Sequence, residues 1–149
     1  MQNYEVFKIN IIDIFGQKVD TRKAMQMNIL TLAYLGDVMQ DMFVRSRITI
    51  DNPAKINQIH RTTVKYVNAN SQADCMDLFM DELTEEEMAI FKRGRNSKSM
   101  PTKNTDRAHY VKATGFEAVL GFLYISGQDE RLLYILNKSF NFISERSGQ

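Results

Sequence analysis

Apolar positions recur along most of the chain at the three- and four-residue spacing of amphipathic helices. A long helix is predicted from about Thr21 or Asn28 to Arg47, after an apolar segment at 4–15 and a connector at 16–20. No Asn-Gly or Asp-Gly turn lies between alternating strand-like runs, and clusters of β-branched residues are short. The pattern therefore predicts an all-α fold.

Capping signals predict where the later helices begin. An Asp-Asn-Pro sequence at 51–53 combines a capping residue with a proline for the first turn, which predicts a helix start there. Ser71 is the predicted cap of the next helix. Thr84 opens an S/T-x-x-E capping box, and its helix is expected to continue through about Lys92.

A long polar segment, GRNSKSMPTKNTD, follows at 94–106. Loops of about 13 residues inside compact domains are usually functional or disordered. The next helix is predicted from about Thr105 to Ser126, where Gly127 is a stop signal. Residues 129–145 carry apolar side chains at helical spacing and form the last predicted helix.

Length and composition are those of one globular domain. A chain of 149 residues can bury a sizeable core without disulfides. Cys75 is the only cysteine, so no internal disulfide can form, and no Cys/His spacing indicates a zinc site. The N-terminus does not resemble a secretory signal, and no window reaches the roughly 18 apolar residues of a membrane span. A reducing, cytoplasmic setting without a membrane partner is expected.

Charge is distributed unevenly along the chain. Net charge is only +1, which by itself indicates no polyanionic partner. Residues 73–87 contain seven acids and no Lys or Arg, whereas residues 92–112 contain seven Lys or Arg and one acid, Asp106. The basic segment could attract phosphates, or it could simply be a solvated loop.

Two predicted core helices each carry a carboxylate beside small residues. Asp37 follows Gly36 in the first, and Glu117 shares a helix face with Ala118 and Gly121 in the second. Small residues let helices approach closely, so the two carboxylates are expected to converge in a mostly dry place. Two anionic carboxylates repel each other unless a cation lies between them or one is protonated.

A ligand set made only of oxygen atoms favours Mg²⁺ or Mn²⁺ over zinc. Mg²⁺ typically takes one or two protein carboxylates and completes its shell with water and substrate phosphate, which suits phosphodiester hydrolysis. The residues alone leave two alternatives open. Either acid could be half-exposed and solvated, or it could be paired with an arginine in a buried ion pair.

Several motifs resemble those of the ribonuclease III family. LAYLGDVMQDMFVR (32–45) resembles its signature helix, and FEAVLGFLY (116–124) resembles its second signature, in which Glu-Ala precedes an apolar run containing glycine. FKRGRNSKS, PTKNTD and IHRTTVKYVNANSQA are similar to the short Mini-III branch, which lacks a separate double-stranded-RNA-binding domain. The likeness covers roughly residues 25–140, with the motifs in the expected order.

The resemblance implies an all-helical catalytic domain at 21–149, with residues 1–20 as an N-terminal extension packing on it. It also implies a homodimer with one acidic site per subunit, which cuts opposite strands of an RNA duplex with Mg²⁺, for which Mn²⁺ can substitute. The implied role is maturation of the ends of the large-subunit (23S) ribosomal RNA precursor. Ribosomal proteins are further candidate partners.

The family's site residues carry over only in part. The signature Asp falls on Asp37 and the second-signature Glu on Glu117, which are the implied catalytic and metal-binding residues. Two further family acids fall on Ala33 and Thr114, and their absence fits the Mini-III branch. A second metal would then be held mainly by water and RNA phosphate. Thr114 and Asp41 are candidate outer-shell groups, although Asp41 could instead be solvated or lie at the dimer interface.

Without an appended domain, the catalytic domain must hold the RNA duplex itself, through phosphates and 2′-hydroxyls. Few aromatic residues interleave the basic loop, which argues against base stacking on single strands. His60 is expected to contact phosphate and not to act as a base, since the metal already activates water. The candidate RNA-binding residues are Arg93, Arg95, Asn96, Lys98, Lys103, Asn104 and Arg107, with His60, Arg61 and Lys65 as secondary candidates.

The main alternative is a non-catalytic RNA-binding or ribosome-assembly protein with the same dimeric helical fold. The two missing acids motivate it, and metal-dependent cutting of long duplex RNA would distinguish it from a nuclease. A purely structural helical module is a third alternative, but it leaves Asp37, Glu117 and the basic loop unexplained.

Overall fold

The computed structural model describes residues 9–51, 55–97 and 106–147. No β-strand occurs in these ranges, which confirms the all-α prediction. No helix in them is long and apolar enough to cross a membrane. In chain order the helices are α1 (Ile11–Phe15), α2 (Thr21–Met25), α3 (Ile29–Asp51), α4 (Ile56–Val67), α5 (Ala69–Asp77), α6 (Glu85–Arg95), α7 (Arg107–Ile125) and α8 (Asp129–Arg146).

Helix α7 lies at the centre of the fold. Eleven of its nineteen residues are buried, and it packs against α3, α5 and α6. From Ala113 onward the helix is apolar on nearly all sides, and such a helix is expected inside a core. Phe116, Leu120 and Leu123 are among its fully buried side chains. The central position of α7 places Thr114 and Glu117 among neighbouring helices.

The backbones of α3 and α7 touch where Gly36 and Gly121 meet. A Cβ added to Gly36 would lie 1.7 Å from the Glu117 carbonyl oxygen, and one added to Gly121 would lie 1.8 Å from the Leu32 carbonyl oxygen. Any side chain at either position would force the helices apart. Glycine is therefore required at both positions despite its cost of about 1 kcal/mol in a helix interior. The predicted close approach through small residues is confirmed.

Two of the predicted end signals are confirmed by hydrogen bonds. The Thr84 hydroxyl accepts from the Glu87 amide at 3.1 Å, and the Glu87 carboxylate accepts from the Thr84 amide at 3.0 Å, which completes the capping box. Gly127 has a φ of 72° just beyond α7. The amide after it, on Gln128, donates to the Leu123 carbonyl at 2.9 Å, as in a Schellman motif.

Other predicted boundaries are wrong. The cap of α5 is Asn68, whose side chain accepts from the Ser71 amide at 2.9 Å, so Ser71 lies inside the helix. Asp51 is the last residue of α3, and α4 begins after Lys55 and not at 51–53. Residues 52–54 lie outside the described residues. A capping side chain acts only where the backbone leaves the helix, and Asp51 is still helical.

The described part of the N-terminal segment lies against the turn between α7 and α8. The Asn10 side chain donates to the Gly127 carbonyl at 2.7 Å, and the Val19 amide donates to the Ile125 carbonyl at 3.0 Å. The described residues 9–20 therefore contact the C-terminal end of α7.

Gly36→Ala is expected to lower the free energy of unfolding by about 3 kcal/mol. Overpacking typically costs about 1–3 kcal/mol, and here the added methyl meets main-chain atoms. Thermal denaturation should show a melting temperature lower by roughly 6–12 °C, at about 2–4 °C per kcal/mol. Gly16→Ala is the matched control because nothing lies within 4 Å of its added Cβ. Equal, small effects of both substitutions would contradict the backbone contact.

Candidate active site

The close approach of α3 and α7 brings the Asp37 and Glu117 side chains together. Asp37 directly follows Gly36, and Gly36 packs on the backbone carbonyl of Glu117. The two side chains lie side by side, so that Asp37 acts directly on the ionisation of Glu117. Asp37 is exposed, whereas Glu117 is partly buried. The carboxylate pair therefore lies at the edge of the core, with one member open to solvent.

The surroundings of Glu117 oppose its ionisation. Burial is the largest cause, and the hydrogen bond with Asp37 and the charge of Asp37 add to it; together they raise the pKa of Glu117 to about 9. Two carboxylates in one site cannot both ionise easily unless a positive charge lies nearby. A cation bound by both side chains would remove this repulsion, so the pair favours cation binding.

Glu87, a fully buried acid, is stabilised in a different way from Glu117. Glu87 is 1% exposed, and its carboxylate accepts from the Arg131 guanidinium at 2.9 and 3.0 Å. Within the described residues, neither Asp37 nor Glu117 has such an arginine partner. A buried ion pair with arginine was one of the two alternatives that the sequence left open. It is found at Glu87 and not at Asp37 or Glu117. The other alternative, a solvated acid, agrees with the exposure of Asp37.

Two buried glutamines complete the surroundings of Glu117. The Gln72 side chain on α5 lies beside Glu117 and lowers its pKa, against the effect of burial. The Gln72 amide nitrogen also donates to the Gln40 side-chain oxygen at 2.7 Å. Gln40 lies on α3, almost one turn after Asp37. The site prediction missed both glutamines because a neutral amide belongs to no catalytic motif. The available signal was a polar residue at a core-facing helical position.

The two candidate outer-shell residues have partners of their own. Thr114 is buried, and its hydroxyl donates to the Tyr110 carbonyl at 3.1 Å, within α7. The Asp41 carboxylate accepts from Arg45 at 2.8 Å on the surface of α3. Thr114 lies close to one turn before Glu117 and Asp41 one turn after Asp37, so both are near the pair. Their outer-shell roles stay predictions.

The described RNA-binding candidates that flank residues 98–105 in the sequence lie at the end of α6 and at the start of α7. Asn96 and Arg107 are exposed, and the partly buried Arg95 places its guanidinium 5.5 Å from the centre of the Phe91 ring. These exposed polar groups are available to a ligand. Three of the RNA-binding candidates lie outside the described residues: Lys98, Lys103 and Asn104.

Arg93 has a structural role in the fold. Its guanidinium donates to the Met25 carbonyl at 2.5 Å and to the Met27 carbonyl at 2.9 Å. These bonds join α6 to the turn that leads into α3. A guanidinium held by two backbone carbonyls has less freedom to bind phosphate, and an RNA contact by Arg93 stays a prediction.

The secondary RNA-binding candidates lie on α4. His60, Arg61 and Lys65 are all exposed there. Arg45 from α3 joins His60 and Arg61 along a groove of about 760 Å³ between α3 and α4. The groove thus has a cationic side, which is compatible with phosphate binding.

The donor set fits a magnesium-type ion. No cluster of three or more His, Cys, Asp or Glu side chains able to hold a metal occurs within 9–51, 55–97 and 106–147. A pair of carboxylates is nevertheless sufficient for Mg²⁺ or Mn²⁺, which complete their shells with water and phosphate oxygens. The residues that would hold the ion are Asp37 and Glu117. Among the residues that the structure describes, no Cys or His side chain joins this pair to form a site that would favour zinc.

Comparisons with known proteins agree with this interpretation. The Ribonuclease III domain family matches residues 30–128. Mini-ribonuclease 3 of Staphylococcus aureus is 46% identical over 123 residues, which cover 80% of this chain and 92% of the relative. Mini-ribonuclease 3 of Clostridium tetani is 39% identical over 134 residues, which cover 89% of each chain.

A solved structure gives the same fold. The crystal structure of a Fusobacterium nucleatum protein has a TM-score of 0.72 and 27% sequence identity, and the match covers 78% of this chain and 93% of that one. The matched family region includes both Asp37 and Glu117. The family match and the similarity to the Mini-ribonuclease 3 proteins confirm the resemblance found in the sequence, and the chain belongs to the ribonuclease III family of double-strand-specific endoribonucleases.

Proposed function

We propose that the chain cleaves double-stranded RNA as a homodimer, with Mg²⁺ held by Asp37 and Glu117 in each subunit. The observation that carries this proposal is the contact between the two carboxylates at the α3–α7 crossing. Mn²⁺ is expected to substitute, because it accepts the same oxygen ligands.

The chain's own residues hold the reacting groups in place. Glu117 is fixed by the packing of α7, and Asp37 is exposed and can face the RNA backbone. When bound, Mg²⁺ supplies an activated water and stabilises the charge that develops on the phosphate. The backbone contact at Gly36 fixes the separation of the two carboxylates, so the metal position is set before RNA arrives.

A stripe of exposed apolar side chains supports the homodimer. Leu30, Tyr34, Val38 and Met42 recur every four residues along α3, beside Asp37. Contiguous exposed apolar patches mark interaction surfaces. A second copy of the chain placing the same stripe against this one would form a two-fold interface and would place two acidic sites on one assembly.

The RNA substrate proposed here is the large-subunit (23S) ribosomal RNA precursor, with cleavage at its ends and with ribosomal proteins as further candidate partners. Support comes from the similarity to the Mini-III branch, and the place of action would be the cytoplasm. Arg95, Asn96 and Arg107, with the neighbouring basic residues at 98–105, are the proposed contacts to the phosphates. A-form duplexes are gripped mainly by shape and backbone, which suits basic side chains without stacked aromatics.

Asp37→Asn and Glu117→Gln should each reduce cleavage of long duplex RNA in Mg²⁺ by more than roughly 100-fold, because loss of an outer-shell group alone costs about 10- to 100-fold. Circular dichroism should show that both variants remain folded. Asp81→Asn is the matched control, since Asp81 is an exposed acid in a turn far along the chain from both helices. Full cutting rates in either site variant would remove that residue from the site.

Neutralising Arg95 and Lys98 together, as Arg95→Gln and Lys98→Gln, should weaken binding of duplex RNA and flatten its salt dependence. Removing one cationic side chain that neutralises a phosphate lowers the slope of log K against log salt by about 0.9 on a B-form duplex. Titrations at several salt concentrations measure this slope. Lys18→Gln is the control, because Lys18 lies by Gly127 at the opposite end of α7. An unchanged slope in the double variant would exclude these two residues from RNA binding.

Tyr34→Lys should weaken the dimer by at least about 30-fold, which corresponds to the roughly 2 kcal/mol of a central interface residue. Tyr34 is 72% exposed in the single chain, and a lysine at the centre of an apolar interface would be desolvated. Sedimentation equilibrium measures the dissociation constant. Phe15→Lys is the matched control, since Phe15 is 74% exposed on α1, away from the stripe. A wild-type protein that stays monomeric would rule out the homodimer.

A further inference from the structure

A chain of buried amide groups connects Glu117 to other helices. Gln72 of α5 lies beside Glu117 and lowers the pKa of its carboxyl group, and the Gln72 amide nitrogen donates to the Gln40 side-chain oxygen at 2.7 Å. The Gln40 amide nitrogen in turn lies 3.5 Å from the Tyr66 carbonyl oxygen at the end of α4. Both glutamines are only 3% exposed. Four helices thus contribute to one polar network that ends at a site carboxylate.

The network fixes which atom of Gln72 faces Glu117. The Tyr66 carbonyl can only accept a hydrogen bond, so Gln40 turns its NH₂ group toward Tyr66 and its oxygen toward Gln72. Gln72 must therefore present its own NH₂ group to Gln40. The second N–H of that group is left for Glu117, whose carboxylate can accept it. The orientation of each amide follows from the fixed polarity of the backbone carbonyl.

We propose that Gln72 is a positioning residue: its amide holds the Glu117 carboxylate in place for metal binding beside Asp37, and Gln40 keeps that amide in the required orientation. This proposal rests on the proposed metal site at Asp37 and Glu117. Outer-shell hydrogen bonds of this kind orient ligating carboxylates in metal sites generally.

A neutral donor is well suited to this position. A lysine or arginine beside Glu117 would form an ion pair and compete with the metal. Arg131 forms such an ion pair with Glu87 in this fold. An aliphatic residue would leave the carboxylate without a fixed direction. An amide donates a hydrogen bond without adding charge, so it orients Glu117 while leaving the negative charge available to a cation.

The test compares Gln72→Met with wild type. Methionine has a similar length and no N–H, so the substitution removes the donor while filling most of the space. Binding of Mn²⁺ is measured without RNA, from the electron paramagnetic resonance signal of the free ion. Its dissociation constant is expected to rise about 10- to 100-fold. Cleavage of duplex RNA should need a correspondingly higher Mg²⁺ concentration, while the rate at saturating Mg²⁺ falls less.

Ser139→Ala is the matched control for a buried polar side chain. Ser139 is 3% exposed on α8, and its hydroxyl has no hydrogen-bond partner in the described part of the chain. It should leave Mn²⁺ affinity unchanged. Gln40→Met is a second test variant, useful if Gln72→Met fails to fold. This variant keeps the Gln72 N–H groups but removes the Gln40 oxygen that orients them. A smaller increase in the Mn²⁺ dissociation constant, of about 3- to 10-fold, is therefore expected.

The outcomes separate this proposal from the proposed function. Wild-type Mn²⁺ affinity in a folded Gln72→Met protein, or in Gln40→Met if the first does not fold, would overturn the positioning role and leave the nuclease site standing. A wild-type protein that binds Mn²⁺ but cuts no duplex RNA would overturn the proposed function, and the Mn²⁺ titrations would still decide on Gln72. Absence of Mn²⁺ binding in wild type would overturn both.

Discussion

The contact between the backbones of α3 and α7 determines most of what the structure can do. Gly36 meets the Glu117 carbonyl, and Gly121 meets the Leu32 carbonyl, at distances that admit no side chain. Each glycine costs its helix about 1 kcal/mol, and burial of the surrounding apolar residues offsets that cost. Because Asp37 is adjacent to Gly36 in sequence, the same contact that seats the helices also places one carboxylate against another. Packing and site geometry are therefore a single property of this crossing.

The buried Glu87 and the partly buried Glu117 show that removing a carboxylate from water can have different consequences. Glu87 is surrounded by donors, including the Thr84 amide and the Arg131 guanidinium, and it joins α6 to α8. Glu117 instead faces Asp37, and burial together with that carboxylate raises its pKa to about 9. An acid paired with an arginine stabilises the fold, whereas two carboxylates that face each other without a cationic partner leave a place that a cation can fill. The difference lies in the partner and not in the acid, which is why neither role could be assigned from residue type alone.

The helical pattern and the two signature segments were enough to predict the all-α fold, the α3–α7 approach and the pairing of Asp37 with Glu117. Those features depend on local spacing and on small residues, which are visible in one sequence. The cap at Asn68, the extension of α3 to Asp51 and the bonds from Arg93 to Met25 and Met27 depend on where other backbone groups lie. Gln72 was not predicted for the same reason, because the side chains that it contacts lie on two other helices.

The reduced acid content of the site is consistent with the buried amides around it. Ala33 and Thr114, where the wider family is expected to carry acids, are both buried here, at 7% and 6% exposure. The Thr114 hydroxyl is engaged within its own helix. A carboxylate at either position would add like charge to a site that already opposes ionisation of Glu117. With two acids in place of four, neutral donors such as Gln72 can orient the remaining carboxylate without neutralising it. The family match supports a nuclease, and the two carboxylates and the amide that converge at the α3–α7 crossing are chemically suited to hold a cation there.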